Sequence, residues 1–453
     1  MTIEYLGTDI LFEDQGQSAA LAPALSPRGR NEQVARRRNA YFPGLAALQS
    51  GDLIALLVIS EAFESSDATT YVARSKDFGM TWELEGALRD LRTSKNALHA
   101  STGYRLPGGR GKNGAHAVHP GSPSAVTGRK GEELGETGLR APEKTPVISG
   151  CVKGTGENGE PGGSWSDYLK PTALRDGTVV AIGYRFERQD PAAGISIEGT
   201  GGILPGQDII SFSSDEGRTW TRHRVIPRSR PEVYEISGPC IELKSGDLVA
   251  VAAPFKMPDG GNPSGQMGIL LRSQDRGRTW SDDEIFFRSP DGNLTPYESR
   301  ICQMQDGRLA AIVWAYDTSA GRHCPNHVVV SPDDGRTWST PIDTGHWGQA
   351  SNLIWLGGDR LMTIHAHRGE RPGIFVRLVD FKGDRWTPLE EIVIYGAGSP
   401  TQTKSGQNMA EMFASLKFGQ PSLLLLPDGE ILAVHWTVED GRGTIRTHRL
   451  RLR

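Results

Sequence analysis

The chain has 453 residues, 37% of them hydrophobic and 7% aromatic, enough to fill a core and to exclude wholesale disorder. A net charge of −4 with both signs interspersed leaves no basic footprint for nucleic acid, and the longest apolar runs fall short of the roughly 18 residues a membrane span needs. Fifty-six glycines without a G-X-Y period exclude collagen and point to tight turns between short strands.

The N-terminus, MTIEYLGTDILFEDQG, has no basic start and no long apolar stretch. It therefore predicts no secretory signal and a cytoplasmic chain. Its segment IEYLGTDILF reads as a strand. The first full unit follows in YFPGLAALQSGDLIALLVIS, an apolar strand, a Gly-Asp turn and a second apolar strand. It closes on SKDFGMTW, starting at Ser75. Residues 84–165 then break the pattern. This stretch, rich in Gly, Ser, Pro and charge and holding His116 and His119, reads as a long insertion over one face or a bland loop.

The strand–turn–strand phrase returns five more times, in DYLKPTALRDGTVVAIGYRF, YEISGPCIELKSGDLVAVAAPF, YESRICQMQDGRLAAIVWAYD, GQASNLIWLGGDRLMTIHAHR and FGQPSLLLLPDGEILAVHW. Three of these units carry SSDEGRTW, SQDRGRTW and SPDDGRTW, and a decayed copy, LVDFKGDRW, keeps Gly383 and Trp386. In the shared pattern S-x-D-x-G-x-T-W, Asp can bind turn amides, Gly supplies a positive φ and Trp can bury its ring between sheets. Six units of four antiparallel strands predict one all-β domain over 1–453, a six-bladed β-propeller, with the N-terminal strand completing the last blade. The four cysteines (Cys151, Cys240, Cys302, Cys324) are scattered, which argues against a zinc knuckle or a disulfide framework.

The S-x-D-x-G-x-T-W phrases on a sixfold repeat resemble the Asp-boxes of the sialidase (neuraminidase) superfamily, over the chain from about residue 40 onward. The resemblance implies a site at the centre of the ring, with arginines for a substrate carboxylate, a Tyr nucleophile paired with Glu, and an Asp acid/base. Residue by residue the pattern departs. Tyr41 in AYFPGL stands where the family's first Arg would be, and Arg36, Arg37 and Arg38 lie just upstream. Glu298 keeps the family's spacing to a D-G turn. The next Arg is missing near Trp314 and Ala315, and Arg300 could supply the charge. Gln420 stands at the nucleophile's address. In the loop of the acid/base, Asp67 is the expected proton donor, with Glu61 and Glu64 as rivals.

The starts of innermost strands and ends of second strands should converge on a polar mouth suited to sugars. They contribute Tyr41, Lys170, Arg185, Glu235, Tyr297, Glu298, Arg300, His346, His367, Arg368 and Gln420. Glu298, Asp67, Tyr297, Glu235 and His367 are the expected catalytic groups. Arg300, Arg368, Tyr41, Lys170, Arg185, His346 and Gln420 are the expected substrate contacts. His365 and His367 share a strand face, a spacing that also suits a transition metal, but an Arg/His hydrogen-bond cluster is the plainer reading and no metal is expected. No phosphate-cradling glycine motif is present, so no nucleotide cofactor is expected. The carbohydrate-active reading is a sialidase-like exo-glycosidase on terminal, anionic sugars. A lyase acting on uronic acids through His, Tyr and Arg, and a non-catalytic glycan-binding propeller, stay open beside it.

Overall fold

The computed structural model describes residues 2–14, 38–91, 164–190, 193–396 and 416–453. They form six antiparallel sheets of four or five strands, the six blades of a propeller. Blade 1 runs Asn39–Ala47, Leu53–Ser60, Thr69–Ser75 and Glu83–Ala87 from the axis outward. Blade 2 runs Ser164–Ala173, Val179–Arg188, Gly206–Ser213 and Arg224–Val225. The innermost strand of blade 3 is split into Tyr234–Glu235 and Ile241–Glu242, both paired to Leu248–Pro254. The innermost strands of blades 4, 5 and 6 are Leu294–Gln303, Gln349–Gly357 and Phe418–Leu425. The outer strand of blade 1 and the first strand of blade 2 thus take up both edges of the expected 84–165 insertion. Its middle, with His116, His119 and Cys151, lies outside the described residues, as do Arg36 and Arg37.

The second strands are the most apolar because both faces are covered by neighbouring blades. Every residue of Leu53–Ser60 is buried, and the aliphatic side chains of adjacent blades merge into shared clusters. As the sequence predicts, Ile3–Phe12 adds the outermost strand to blade 6, with Ile3 opposite Leu452. Thr2 and Arg453 exchange backbone bonds there, and Arg453 pairs with Glu4.

The four tryptophan turns share one hydrogen-bond scheme. In the first, Ser75 Oγ donates to Asp77, the Gly79 amide donates back to Ser75 Oγ, and the Asp77 carboxylate accepts the amide and hydroxyl of Thr81. Trp82 Nε1 closes on the Gly79 carbonyl at 3.1 Å. Two consecutive left-handed residues make the turn, Phe78 (φ 57°) and Gly79 (φ 88°), and the same pair recurs at Glu216–Gly217, Arg276–Gly277 and Asp334–Gly335. These turns join third to fourth strands, at the opposite end from the loops that join second to third strands. The mouth is built at that latter end. Among the described residues Cys240, Cys302 and Cys324 are free thiols, and no helix is long and apolar enough to cross a membrane.

Candidate active site

The innermost strands do not run straight past the axis. Four of them break register near the mouth, and each break carries a non-glycine residue in the left-handed region: Phe42 (φ 52°), Glu298 (φ 41°), Ala350 (φ 55°) and Gln420 (φ 40°). A bulge adds a residue to one strand and re-aims its side chains. Such backbone costs of order 1–3 kcal/mol per residue and persists where packing holds it in place. Two of these residues meet. Gln420 Nε2 donates to Glu298 Oε1 at 2.7 Å, while its carbonyl oxygen accepts Lys170 Nζ, also at 2.7 Å. Lys170 is further held by the carbonyls of Phe42 and Pro43. Blades 1, 2, 4 and 6 are thereby tied together across the axis.

Three carboxyl groups converge on this tie. The Glu298 backbone amide donates to Glu235 Oε2 at 3.4 Å. Glu64, on the loop that follows Leu53–Ser60, is buried and lies within electrostatic reach of both Glu235 and Glu298. Burial pushes the Glu64 carboxyl up to about 8; Arg188 opposes the rise and Glu298 adds to it. Burial, with the charge of Glu298 next, likewise lifts Glu235 to about 8. Both carboxyls are thus shifted toward the protonated form, the condition a general acid needs.

Cations surround the carboxyls. Arg300 Nη1 is committed to Ser237 Oγ and to the carbonyls of Glu298 and Ser299, and Arg368 Nε to the Phe418 carbonyl at 3.0 Å. Arg300 Nε and Nη2, and both terminal nitrogens of Arg368, have no hydrogen-bond partner among the described residues. Each long cation passes over a glycine of the neighbouring blade. A Cβ on Gly44 would stand 2.9 Å from Lys170 Cδ, one on Gly238 would stand 2.8 Å from Arg300 Cδ, and one on Gly419 would stand 2.0 Å from Arg368 Nη2. None of the three has a positive φ, so glycine is required there for space. Burial depresses Lys170 strongly and brings Arg368 down to about 10, with Glu298 pulling both back up.

Aromatic hydroxyls complete the wall. Tyr168 and Tyr184 stack at 5.4 Å, and the Tyr168 hydroxyl is buried beside Ser166. Tyr297 packs on Trp314, and burial followed by the charge of Glu235 raises it to about 12. His323 accepts from Trp314 Nε1 at 3.0 Å and is kept neutral by burial and by Arg368.

The sequence-predicted residues fall into two groups. Glu235, Tyr297, Glu298, Arg300, Arg368, Lys170 and Gln420 come together as described. Asp67 does not join them: its carboxylate accepts the Glu61 amide and the Ser65 hydroxyl, and so folds the loop that presents Glu64. Arg185 stacks on Trp165 at 4.2 Å and donates to Gln207 within its own blade. Tyr41 is part of an aromatic cluster with Phe42, Phe63 and Trp436. His346 is buried between His365 and Trp386, and His367 packs edge-on against Phe375, both within blade 5. Glu64 was only a rival in the sequence reading. Arg188, which donates to the Glu64 carbonyl at 2.8 Å, carried no signal there that would single it out, whereas His323, in RHCPNH, was among the histidines of the lyase alternative. Among the described residues no group of three or more His, Cys, Asp or Glu is arranged to hold a metal ion.

A cavity of about 420 Å³ opens beside the carboxyl cluster, lined by residues of blades 1, 2 and 6, with Glu64 as the residue common to both.

No family model matches the chain, and no curated protein matches it by sequence. Solved structures do match. A protein of unknown function from Dyadobacter fermentans superposes with a TM-score of 0.61 at 15% identity, over 100% of this chain and 99% of the other. The intramolecular trans-sialidase of Ruminococcus gnavus, in complex with oseltamivir carboxylate, gives 0.53 at 14% identity, over 91% and 94%. The α-L-arabinanase of Penicillium chrysogenum, complexed with arabinobiose, gives 0.52 at 14% identity, over 98% of each chain. The chain thus shares its six-bladed fold with sialidases and another glycosidase; at these identities the likeness is one of fold.

Proposed function

We propose that this chain is a glycoside hydrolase that removes a terminal, anionic sugar. One observation carries the reading: Glu64 and Glu298, from blades 1 and 4, lie within electrostatic reach of each other, and Glu298 is within reach of Arg300 and Arg368, which each keep nitrogens without a hydrogen-bond partner among the described residues. Glycoside hydrolysis needs one carboxylic acid to protonate the leaving oxygen and a second carboxylate to activate water or attack carbon. Glu64 holds its proton at neutral pH and takes the first role. Glu298, fixed by Gln420, takes the second. Arg300 and Arg368 receive the substrate's carboxylate, the fork geometry that guanidinium groups match best.

Gln420 has no ionisable group and cannot serve as a nucleophile, so the chemistry falls to the carboxylates. Glu235 accepts the Glu298 amide, fixing the bulge, and its own proton limits the negative charge gathered in the pit.

The test is mass spectrometry of products from a panel of sialylated and uronate-capped oligosaccharides. Fragments that together gain one water support hydrolysis. Fragments that sum to the intact mass, one of them an unsaturated uronate, would replace it with a lyase. His323, its pKa lowered by burial and packed on Trp314 and Tyr316, the two rings that Tyr297 also touches, is the observation that favours that second reading.

A further inference from the structure

Arg188 ends the second strand of blade 2 and is buried. Its Nη2 donates to two backbone carbonyls, Glu64 at 2.8 Å and Ala193 at 2.6 Å. Those carbonyls belong to neighbouring loops, one joining Leu53–Ser60 to Thr69–Ser75 in blade 1 and one joining Val179–Arg188 to Gly206–Ser213 in blade 2. Glu64 stands in the first loop at φ 55°, a backbone state that needs support in a residue with a side chain. The other nitrogens of the guanidinium, Nε and Nη1, are buried without a hydrogen-bond partner among the described residues. A buried cation so placed is costly unless its charge meets an opposite one. The groups within electrostatic reach of the Glu64 carboxyl are Arg188, Tyr168 and Tyr184 of blade 2, Glu235 of blade 3 and Glu298 of blade 4, and Arg188 is the cation of that set.

We propose that Arg188 is a positioning residue for the acid: Nη2 holds the Glu64 backbone in its left-handed turn, and the remaining charge of the guanidinium stabilises the carboxylate that Glu64 becomes as it reacts. The proposal rests on the hydrolase reading for the fate of the proton, and on the two carbonyl bonds and the unpartnered nitrogens for the contact. In that reading the Glu64 proton passes to the glycosidic oxygen, which takes the electron pair of the breaking carbon–oxygen bond. Negative charge then appears on Glu64 in a buried place, where desolvation and Glu298 both oppose it. A cation already in position stabilises that charge without reorganisation. Burial by itself would make Glu64 a group that keeps its proton; Arg188 makes it one that also releases it.

Two measurements on the full chain test this. In the first, isotope-labelled glutamate carboxyl carbons are titrated by NMR, with Glu64→Gln to assign the Glu64 signal and no turnover needed. Arg188→Gln and Arg188→Met remove the charge, the second without leaving a buried polar group behind. Each should raise the proton affinity of Glu64 by about tenfold or more, the scale on which an opposite charge nearby acts on a carboxyl. Arg188→Lys keeps the charge without the fork and should stay closer to wild type than either. In the second, kcat is followed against pH on a glycoside that wild type cleaves. Both neutral variants should lose kcat and move the alkaline limb to higher pH, and Arg188→Lys should recover part of both. An unchanged Glu64 midpoint in the neutral variants overturns the proposal, whether or not glycosides are cleaved. Equal losses of kcat in the Lys, Gln and Met variants, with the limb in place, mark a merely structural bond and overturn it as well. A shifted midpoint with no glycoside cleaved by wild type supports the contact of Arg188 with Glu64 and overturns the hydrolase reading, and with it the step at the leaving oxygen.

Discussion

Gln420 of blade 6 and Glu298 of blade 4 are joined by a 2.7 Å hydrogen bond across the axis of the ring, each from a backbone position in the left-handed region. The Gln420 amide bridges Glu298 and the buried Lys170, whose Nζ it also accepts. A change at Gln420 is therefore a change at two ionisable groups at once.

Gln420→Leu removes both bonds and leaves the Glu298 carboxyl and the Lys170 amine facing an apolar side chain. Unfolding in urea should show a loss of about 1–3 kcal/mol, the usual cost of stranding buried partners of this kind. Turnover should fall with it. Gln420→Glu keeps the shape but sets a second carboxyl against Glu298, so its pH–rate profile should move, whereas a purely structural role for Gln420 would leave the profile in place.

Glu64→Gln should lower kcat roughly 10²–10⁴-fold, the range for loss of a positioned general acid. The wild-type rate should decline as pH rises through about 8, where Glu64 gives up its proton, and that limb should vanish in the variant. Stability carries the same signature. A carboxyl whose folded pKa is raised binds its proton more tightly in the native state, so wild type loses stability as pH rises from the unfolded value of 4.5 toward 8. Glu64→Gln escapes this loss and should melt higher than wild type at pH 8. Asp67→Asn, by contrast, should act through the folding of the loop and leave the alkaline limb where it was.

Gly419→Ala places a methyl group against Arg368 Nη2, the far end of a side chain that can move aside. The expected result is a folded protein with a displaced guanidinium. KM for the anionic sugar should rise roughly ten- to a hundredfold, the worth of a hydrogen bond to a charged group. A neutral analogue of the same sugar should be unaffected. Equal losses on both sugars would show that Arg368 is not the carboxylate's partner.

His435 and His448 stack at 5.0 Å with their Nε2 atoms 2.9 Å apart, beneath the N-terminal strand whose Tyr5 hydroxyl reaches His448 Nδ1 at 3.2 Å. Burial holds both rings well below the usual imidazole range, His435 to about 4, with Arg446 adding to the depression of each. Groups with lowered folded values take up protons more readily when unfolded, so stability is lost as pH falls from 6.5 through the folded values. Hydrogen exchange should show Ile3–Phe12 losing protection on acidification ahead of the other blades. His448→Phe should narrow that difference; exchange that rises equally in all six blades would refute the assignment.

The ring and its closure were legible because they repeat. S-x-D-x-G-x-T-W is a local hydrogen-bond scheme that needs those residue types, and alternation of apolar strands with Gly-Asp or Asp-Gly turns marks each blade. Glu298 was legible by its distance from such a turn. The proton donor was not. Glu61, Glu64 and Asp67 lie within one short loop, and which of them faces the axis depends on Glu64 taking φ 55° while Asp67 spends its oxygens on Ser65 and the Glu61 amide. The order Ser65-x-Asp67 is a turn-forming signature and could have assigned Asp67 its structural role from sequence. Gly44, Gly238 and Gly419 were unreadable for another reason: each makes room for a side chain 126, 62 or 51 residues away along the chain, counting Gly44 to Lys170, Gly238 to Arg300 and Arg368 to Gly419. Arg185 and His367 sit at strand positions that face the body of a blade, and strand period alone does not say which face meets the axis; His346 lies ahead of Gln349–Gly357, outside any strand.

Closing blade 6 with Ile3–Phe12 also sets an order of events. Ile3 cannot meet Leu452 until nearly all of the chain between them has been made, and so distant a pairing carries its loop-closure entropy before any contact offsets it. Until then Arg442–Leu452 is a bare edge strand, open to the matching strand of another copy as readily as to its own. The seam that completes blade 6 is thus the step at which a crowded, half-folded population is most prone to exchange strands, and dilution during refolding should favour the ring closed by its own N-terminal strand.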